Sequence, residues 1–275
     1  MTNDERKFII DLMQWSYSRV SSFKNCKYEW LLKYIEEPGN NADSCYGQFG
    51  SLCHEVLEKY GKGELDLLEL PMEFEKRFPE VITEYFPSRG GKDFKSEYFD
   101  KGFDYFCNFT GFGNDREILG VEKKVSFELD GYPFIGFIDV LLRDNNNGEI
   151  IILDHKSTTM KFKKNGELSK TSLPKFEDFK RQLYLYSIPI LKEFGRVDKL
   201  EWNLFKDQKK ISINFDYKEL ESAKKWALDM IHQIENETEW SANPDYTYCS
   251  YLCAKRRDGC PYKFQLPDRE EFLPQ

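Results

Sequence analysis

The chain has 275 residues, 40% of them hydrophobic and 32% charged, enough for one large folded domain or a core with an attached subdomain. A formal net charge of −8 and a pI near 5.2 exclude indiscriminate coating of duplex DNA by a broad basic surface, although local lysine and arginine clusters can still face phosphates. No apolar run approaches the roughly 18 residues that span a bilayer, and the opening MTNDERKFII lacks a signal-peptide pattern, so a cytoplasmic protein is expected.

In a reducing compartment, seven cysteines read as candidates for a metal site rather than a disulfide framework. Aromatic residues reach 16%; most fill the core, and some are candidate stacking platforms for bases.

Residues 16–36 read as one helix, capped by Ser16 or Ser18, with Val20, Phe23, Trp30, Leu31 and Tyr34 recurring and Pro38-Gly39 ending it. A second helix is predicted over 46–60, with Leu52, Val56 and Leu57 on one side and Gly61 as the stop. Residues 65–110 read as helical, interrupted at Pro71, Pro79, Pro87 and Gly90-Gly91. From 120 the pattern changes: Val121–Leu129 alternates, Asp130-Gly131 signals a hairpin, and Tyr132–Leu142 is rich in Ile, Phe and Val. Glu149–Asp154 carries the run IIIL of a buried strand. A helix over 176–193 with a kink at Pro189, strands at 199–205 and 210–215, and a helix over 217–238 follow. The pattern is α/β, a mixed central sheet flanked by helices. It divides into a mainly helical part at 16–110, a core at 118–238 and a cysteine-bearing loop tail at 243–265, within a single domain over 1–275.

Asp139 ends the apolar run GFIDV, and Asp154-His155-Lys156 follows IIIL. Ionised carboxylates in such strands are costly unless paired, hydrogen-bonded or bound to a cation. Two on adjacent strands repel each other unless a divalent ion lies between them, and Mg²⁺ or Mn²⁺ suits such oxygen ligands. Lys156 is two residues after Asp154, so strand alternation turns both side chains to one face. A strand-end salt bridge is the alternative reading of that pair.

GFID followed by ILDHK resembles the paired acidic motifs of the PD-(D/E)XK nucleases. Four further stretches resemble the RecB-like branch, which includes helicase-linked and CRISPR-adaptation nucleases. They are SYSRVSSFKNCKYEWLLKY at 16–34, GSLCHEVLE at 50–58, Gln182 with Tyr186, and Cys249, Cys253 and Cys260 with Pro261-Tyr262. The resemblance implies a restriction-endonuclease-like core and a DNA-cleaving enzyme. His54, Asp139, Asp154 and the carbonyl of His155 would hold Mg²⁺ or Mn²⁺, and Lys156 would be the catalytic lysine. Gln182 and Tyr186, four apart on one helix face, would support the site or touch DNA. His54 as a core histidine is the competing reading. Glu122, before the hairpin turn, falls where some relatives carry an acidic residue but reads better as a solvated strand glutamate.

The resemblance also implies that Cys26, Cys249, Cys253 and Cys260 hold a [4Fe–4S] cluster. Three and six residues separate the C-terminal cysteines, one more in each interval than is usual. Zinc on the same thiolates is the alternative, and Cys45, Cys53 and Cys107 match no ligand position. The basic stretch Lys161–Lys170 and Lys255, Arg256 and Arg257 are candidate DNA contacts. The expected substrate is single-stranded DNA cut from an end, in recombination, repair or CRISPR-type processing. No P-loop is present, so a motor would be a separate helicase or recombination protein. A catalytically silent DNA-binding subunit and a sequence-specific endonuclease are the competing readings.

Overall fold

The computed structural model describes residues 1–39, 41–86, 93–256 and 260–262. Its N-terminal part is helical: α1 (Asn3–Asp11), α2 (Tyr17–Ser22), α3 (Lys27–Leu31) with a π turn at Leu32–Glu36, α4 (Cys45–Gly61), α5 (Glu69–Val81) and α6 (Phe94–Asn108). The helix expected over 16–36 is broken. Ser16 caps α2, the chain turns at Phe23–Asn25, and Cys26 caps α3 with its sulfur toward the Glu29 N–H. The break lets Trp30 fold back and donate its indole N–H to the Arg19 carbonyl at 2.7 Å. That contact gives one of the carbonyls left free at the end of α2 a partner.

The 65–110 stretch contains α5 and α6. Pro71 sits in the first turn of α5, where its missing N–H costs nothing, and α5 ends two residues beyond Pro79. The expected interruptions at Pro87 and Gly90-Gly91 lie outside the described residues.

The sheet contains β1 (Arg116–Leu129), β2 (Tyr132–Asp144), β3 (Ile150–Lys156), β4 (Lys199–Leu204) and β5 (Lys209–Asn214) in sequence order. It is mixed: β3 and β4 are parallel, the other neighbours antiparallel. Asp130 and Gly131 both take left-handed φ values, 50° and 85°, as a two-residue hairpin turn requires. β1 starts five residues before the predicted 121, because Arg116 pairs opposite Asp144 and makes a bidentate contact to buried Glu201 of β4.

α7 (Leu173–Phe194) connects the parallel pair, and α8 (Tyr217–Glu235) packs beside it. α7 runs through Pro189 without ending there. Both faces of the sheet are covered. On one, α7, α8 and the first helices enclose a core containing Ile150, Ile152 and Trp202. On the other, Ile151 and Leu153 meet Phe112 beside the α4–α6 cluster. This double cover explains the unbroken IIIL run, each of whose side chains contributes about 1.5–3 kcal/mol through burial.

Candidate metal centre and active site

β2 and β3 part at their functional ends. Their last paired residues are Val140 and Leu153, so Asp139 and Asp154 occupy the next step, opposite each other. There the His155 N–H is taken by the Asp139 side chain, Oδ2 accepting at 2.6 Å, and the ladder ends. β2 also turns over at this point: Ile138 lies in the α7-side core and Val140 in the opposite one. Simple alternation would put both on one face. Across the ribbon, Glu122 falls between the pairs Val121–Val140 and Lys123–Ile138, opposite Asp139, with a left-handed φ of 47°. A glutamate held there costs about 1–2 kcal/mol, a strain of the kind found where a side chain has been re-aimed.

α4 brings His54 to the same place. Its Nδ1 is 3.5 Å from Asp139 Oδ2 and its Nε2 is 3.1 Å from the His155 carbonyl oxygen. One ligand atom each from His54, Glu122 and Asp139 lies within 4.8 Å of the others. Glu122 is therefore a member of the site, where a solvated strand residue was expected; its raised backbone φ has no signature in the sequence.

Asp154 stands beside this trio. The Lys156 ammonium donates to Asp154 Oδ1 at 3.0 Å and to Gln182 Oε1 at 2.8 Å, and lies 5.0 Å from the Phe179 ring centre. Asp154 Oδ2 is 2.7 Å from the ammonium, yet it is buried with no hydrogen bond of acceptable geometry. We take the contact as electrostatic and the oxygen as still able to accept a cation. Tyr186, one turn along α7 from Gln182, is buried against Gly136, where an added Cβ would lie 2.3 Å from the tyrosine ring. Gly136→Ala is accordingly expected to lower stability by about 1–3 kcal/mol in thermal denaturation, with Tyr186 displaced.

The electrostatics follow from burial. Desolvation pushes Asp139 and Asp154 up to about 6, opposed in both by Lys156. Burial, then Asp139, pushes Glu122 up to about 7. Burial lowers His54, so its ring is neutral and free to donate a lone pair. It lowers His155 much further. The His155 ring is fixed from behind by Asn203, whose amide donates to its Nδ1 at 2.9 Å.

The sequence from 14 to 265 matches the profile of the PD-(D/E)XK nuclease superfamily. The chain belongs to the PD-(D/E)XK nuclease superfamily. A crystal structure named "Putative exonuclease" from Eubacterium rectale is similar at 14% identity and a TM-score of 0.48, with 97% of this chain and 92% of that chain covered. No curated protein gives a significant sequence match.

PD-(D/E)XK nucleases work with divalent metals, and the residues present here fit one. A neutral imidazole, carboxylates raised by burial, and a buried Asp154 oxygen without a hydrogen bond are the donor set that Mg²⁺ or Mn²⁺ takes.

Cys26, Cys249, Cys253 and Cys260 line one small cavity, together with Glu29 and Tyr248. Buried Glu29 accepts from Tyr248 Oη at 2.5 Å and from the Ala254 N–H at 2.6 Å, tying this segment to α3. Lys255 and Arg256, candidate DNA contacts by sequence, are instead buried. Lys255 is 1% exposed and donates to the Glu37 carbonyl at 2.8 Å, while Arg256 donates to Glu84 at 2.8 Å and to the Ala42 carbonyl at 3.0 Å. These two cations pin the tail in place of facing phosphates; Arg257 lies outside the described residues. Lys161, Lys163, Lys164 and Lys170 do lie exposed or half-exposed between β3 and α7. Among the described residues, no helix is long and apolar enough to cross a membrane.

Proposed function

We propose that this nuclease hydrolyses DNA, with single strands as its substrate and cutting from an end as its mode. The carrying observation is the meeting of His54, Glu122 and Asp139 beside the linked Asp154–Lys156–Gln182 row. His54, Asp139, Asp154 and the His155 carbonyl would hold Mg²⁺ or Mn²⁺, with Glu122 as a further carboxylate. The ion, when bound, supplies an acidified water and charge neutralisation at the phosphate. Lys156, held by Gln182 and Asp154, orients the attacking water and offsets charge developing on the phosphoryl oxygens. Gln182 keeps the ammonium at that position, and Tyr186, a neutral phenol because burial raises it, closes the α7 side. The exposed lysines of 161–170 would carry the strand's phosphates.

The whole of 1–275 would act as one cytoplasmic nuclease unit, serving recombination, repair or CRISPR-type processing with a separate helicase or recombination protein. The test is cleavage of end-labelled single-stranded and duplex DNA with Mg²⁺ or Mn²⁺. Wild-type cutting that Asp154→Ala and Lys156→Ala abolish is expected, with a ladder showing end-on removal. A folded wild type that binds DNA and never cuts with either metal makes the chain a silent binding subunit. Discrete internal cuts on a circular substrate make it an endonuclease.

The four-cysteine cavity would hold a [4Fe–4S] cluster. Zinc on the same four thiolates is the alternative occupant. Anaerobically purified protein is expected to contain iron and sulfide in equal amounts and to absorb broadly in the visible range. Cys260→Ser should lose both signals, and stoichiometric zinc without iron would overturn the assignment.

A further inference from the structure

Lys175 opens a stripe of α7 that the metal centre already uses. At about 3.6 residues per turn, positions 175, 179, 182 and 186 fall on one face of the helix. Gln182 accepts from the Lys156 ammonium at 2.8 Å, and Tyr186 packs on Gly136 of β2. One turn before Gln182, the Phe179 ring is shared by two cations. The Lys156 ammonium lies 5.0 Å from its centre and the Lys175 ammonium 5.5 Å.

The charge around Lys175 runs against that of the chain, whose formal net charge is −8. The charged groups that act on its ammonium are Asp178, Lys156 and Lys24. Asp178 is engaged elsewhere, its Oδ1 taking Lys24 at 2.6 Å and Arg181 at 3.1 Å. Asp154 is occupied by Lys156, whose ammonium stands 3.0 and 2.7 Å from its two oxygens. Among the described residues Lys175 makes no ion pair, whereas Lys180 of the same helix is paired with Glu177 and Glu219, each at 2.9 Å. An exposed lysine is ordinarily just solvated. Lys175 differs because it stands over the ring that also carries the catalytic lysine, where each ammonium disfavours the other. An anion bound here offsets that repulsion, and a strand whose scissile phosphate meets Lys156 brings the adjacent phosphate with it.

We propose that Lys175 binds the phosphate next to the scissile one, with Lys24 beyond it, so that the strand leaves the metal centre across Phe179 toward the turn between α2 and α3. The proposal rests on the DNA-cleaving reading and adds to it a path for the strand on the α7 side. The phosphate is either an internal phosphodiester or a terminal phosphomonoester.

The test uses the full chain with its metal chelated, bound to a short fluorescent single strand and followed by anisotropy over a range of salt. Lys175→Ala should weaken binding severalfold at low salt. It should also make the slope of log affinity against log salt shallower by about 0.7, the share of one phosphate contact on a single strand. Lys175→Arg should keep both affinity and slope, as should Lys192→Ala, which removes an exposed lysine at the other end of α7. An unchanged slope in Lys175→Ala overturns the proposal, and so does an equal loss in Lys192→Ala, which would make the effect one of net charge.

In cleavage, Lys175→Ala should raise KM for single strands at little-changed kcat. A fall in kcat at unchanged KM places the lysine in the chemical step and overturns the proposal. Strands with and without a terminal phosphate identify the source. A loss on every strand assigns the contact to an internal phosphodiester, and a loss confined to phosphorylated ends assigns it to the terminal group. Cleavage by wild type with an unchanged slope in Lys175→Ala defeats this proposal alone, whereas the expected slope change without any cleavage defeats only the DNA-cleaving reading.

Discussion

Lys156→Ala is expected to reduce DNA cleavage by at least about 10²–10³-fold, the loss that follows removal of one positioned charge donor from a dry site. The same substitution should destabilise the metal-free protein. Asp154 is 3% exposed, and Lys156 is the cation that opposes its burial. Removing one partner of a buried pair leaves the other uncompensated, at a cost of up to about 3 kcal/mol for this partly accessible lysine. Two readouts separate the effects. Adding Asp154→Asn should restore the melting temperature without restoring cleavage, and Mn²⁺ should raise the melting temperature of the single variant. A Lys156→Ala protein that cuts at the wild-type rate would remove the lysine from the chemistry and leave a strand-end salt bridge.

Metal binding should tighten by at least on the order of 10² between pH 5 and pH 7. Asp139 and Asp154 both stand at about 6 in the metal-free protein, so their two protons compete with the ion at pH 5 and are almost gone at pH 7, while Glu122, at about 7, holds a third proton that is only half released there. His54 adds no such proton, because burial already keeps it neutral. The stability of the metal-free chain runs the other way. Both carboxyls are raised above their unfolded values near 4. Their contribution is therefore fully present below about pH 4 and is lost as pH rises through about 6. Denaturation with chelator against saturating Mn²⁺ should show two curves that diverge across that window. Curves that stay parallel would mean that the carboxylates are not the ligands.

What the residues disclosed in advance depends on how local each cause is. Asp130-Gly131 sets a turn by its own backbone preferences, and IIIL reports cover on both faces, so the hairpin and β3 could be placed from sequence. Strand alternation put Asp154 and Lys156 on one face, and the hairpin brought Asp139 in on the neighbouring strand. His54 came only with the family resemblance, since the contact to His155 spans 101 residues and leaves no trace in local pattern. Glu122 escaped because its side chain is re-aimed by one left-handed residue, and β1 read as plain alternation. Lys255 and Arg256 misled for a related reason. A basic run has one appearance whether it meets water, phosphate or, as here, the carbonyls of Glu37 and Ala42 and the carboxylate of Glu84. The 16–36 helix failed because apolar spacing cannot show a break that a single indole hydrogen bond makes favourable.

The reach of His54 also bears on how long a loaded molecule persists. Asp139 and His155 are 16 residues apart on neighbouring strands, whereas His54 arrives from α4 across 101. Closing the longer loop costs more entropy, so the hairpin forms early and α4 docks late. Contacts completed after the folding barrier act on the way back across it. Bound Mn²⁺ should therefore slow unfolding severalfold more than it accelerates refolding in stopped-flow denaturant jumps. The ion would then act as a latch on a finished molecule, and not as a seed around which the chain folds.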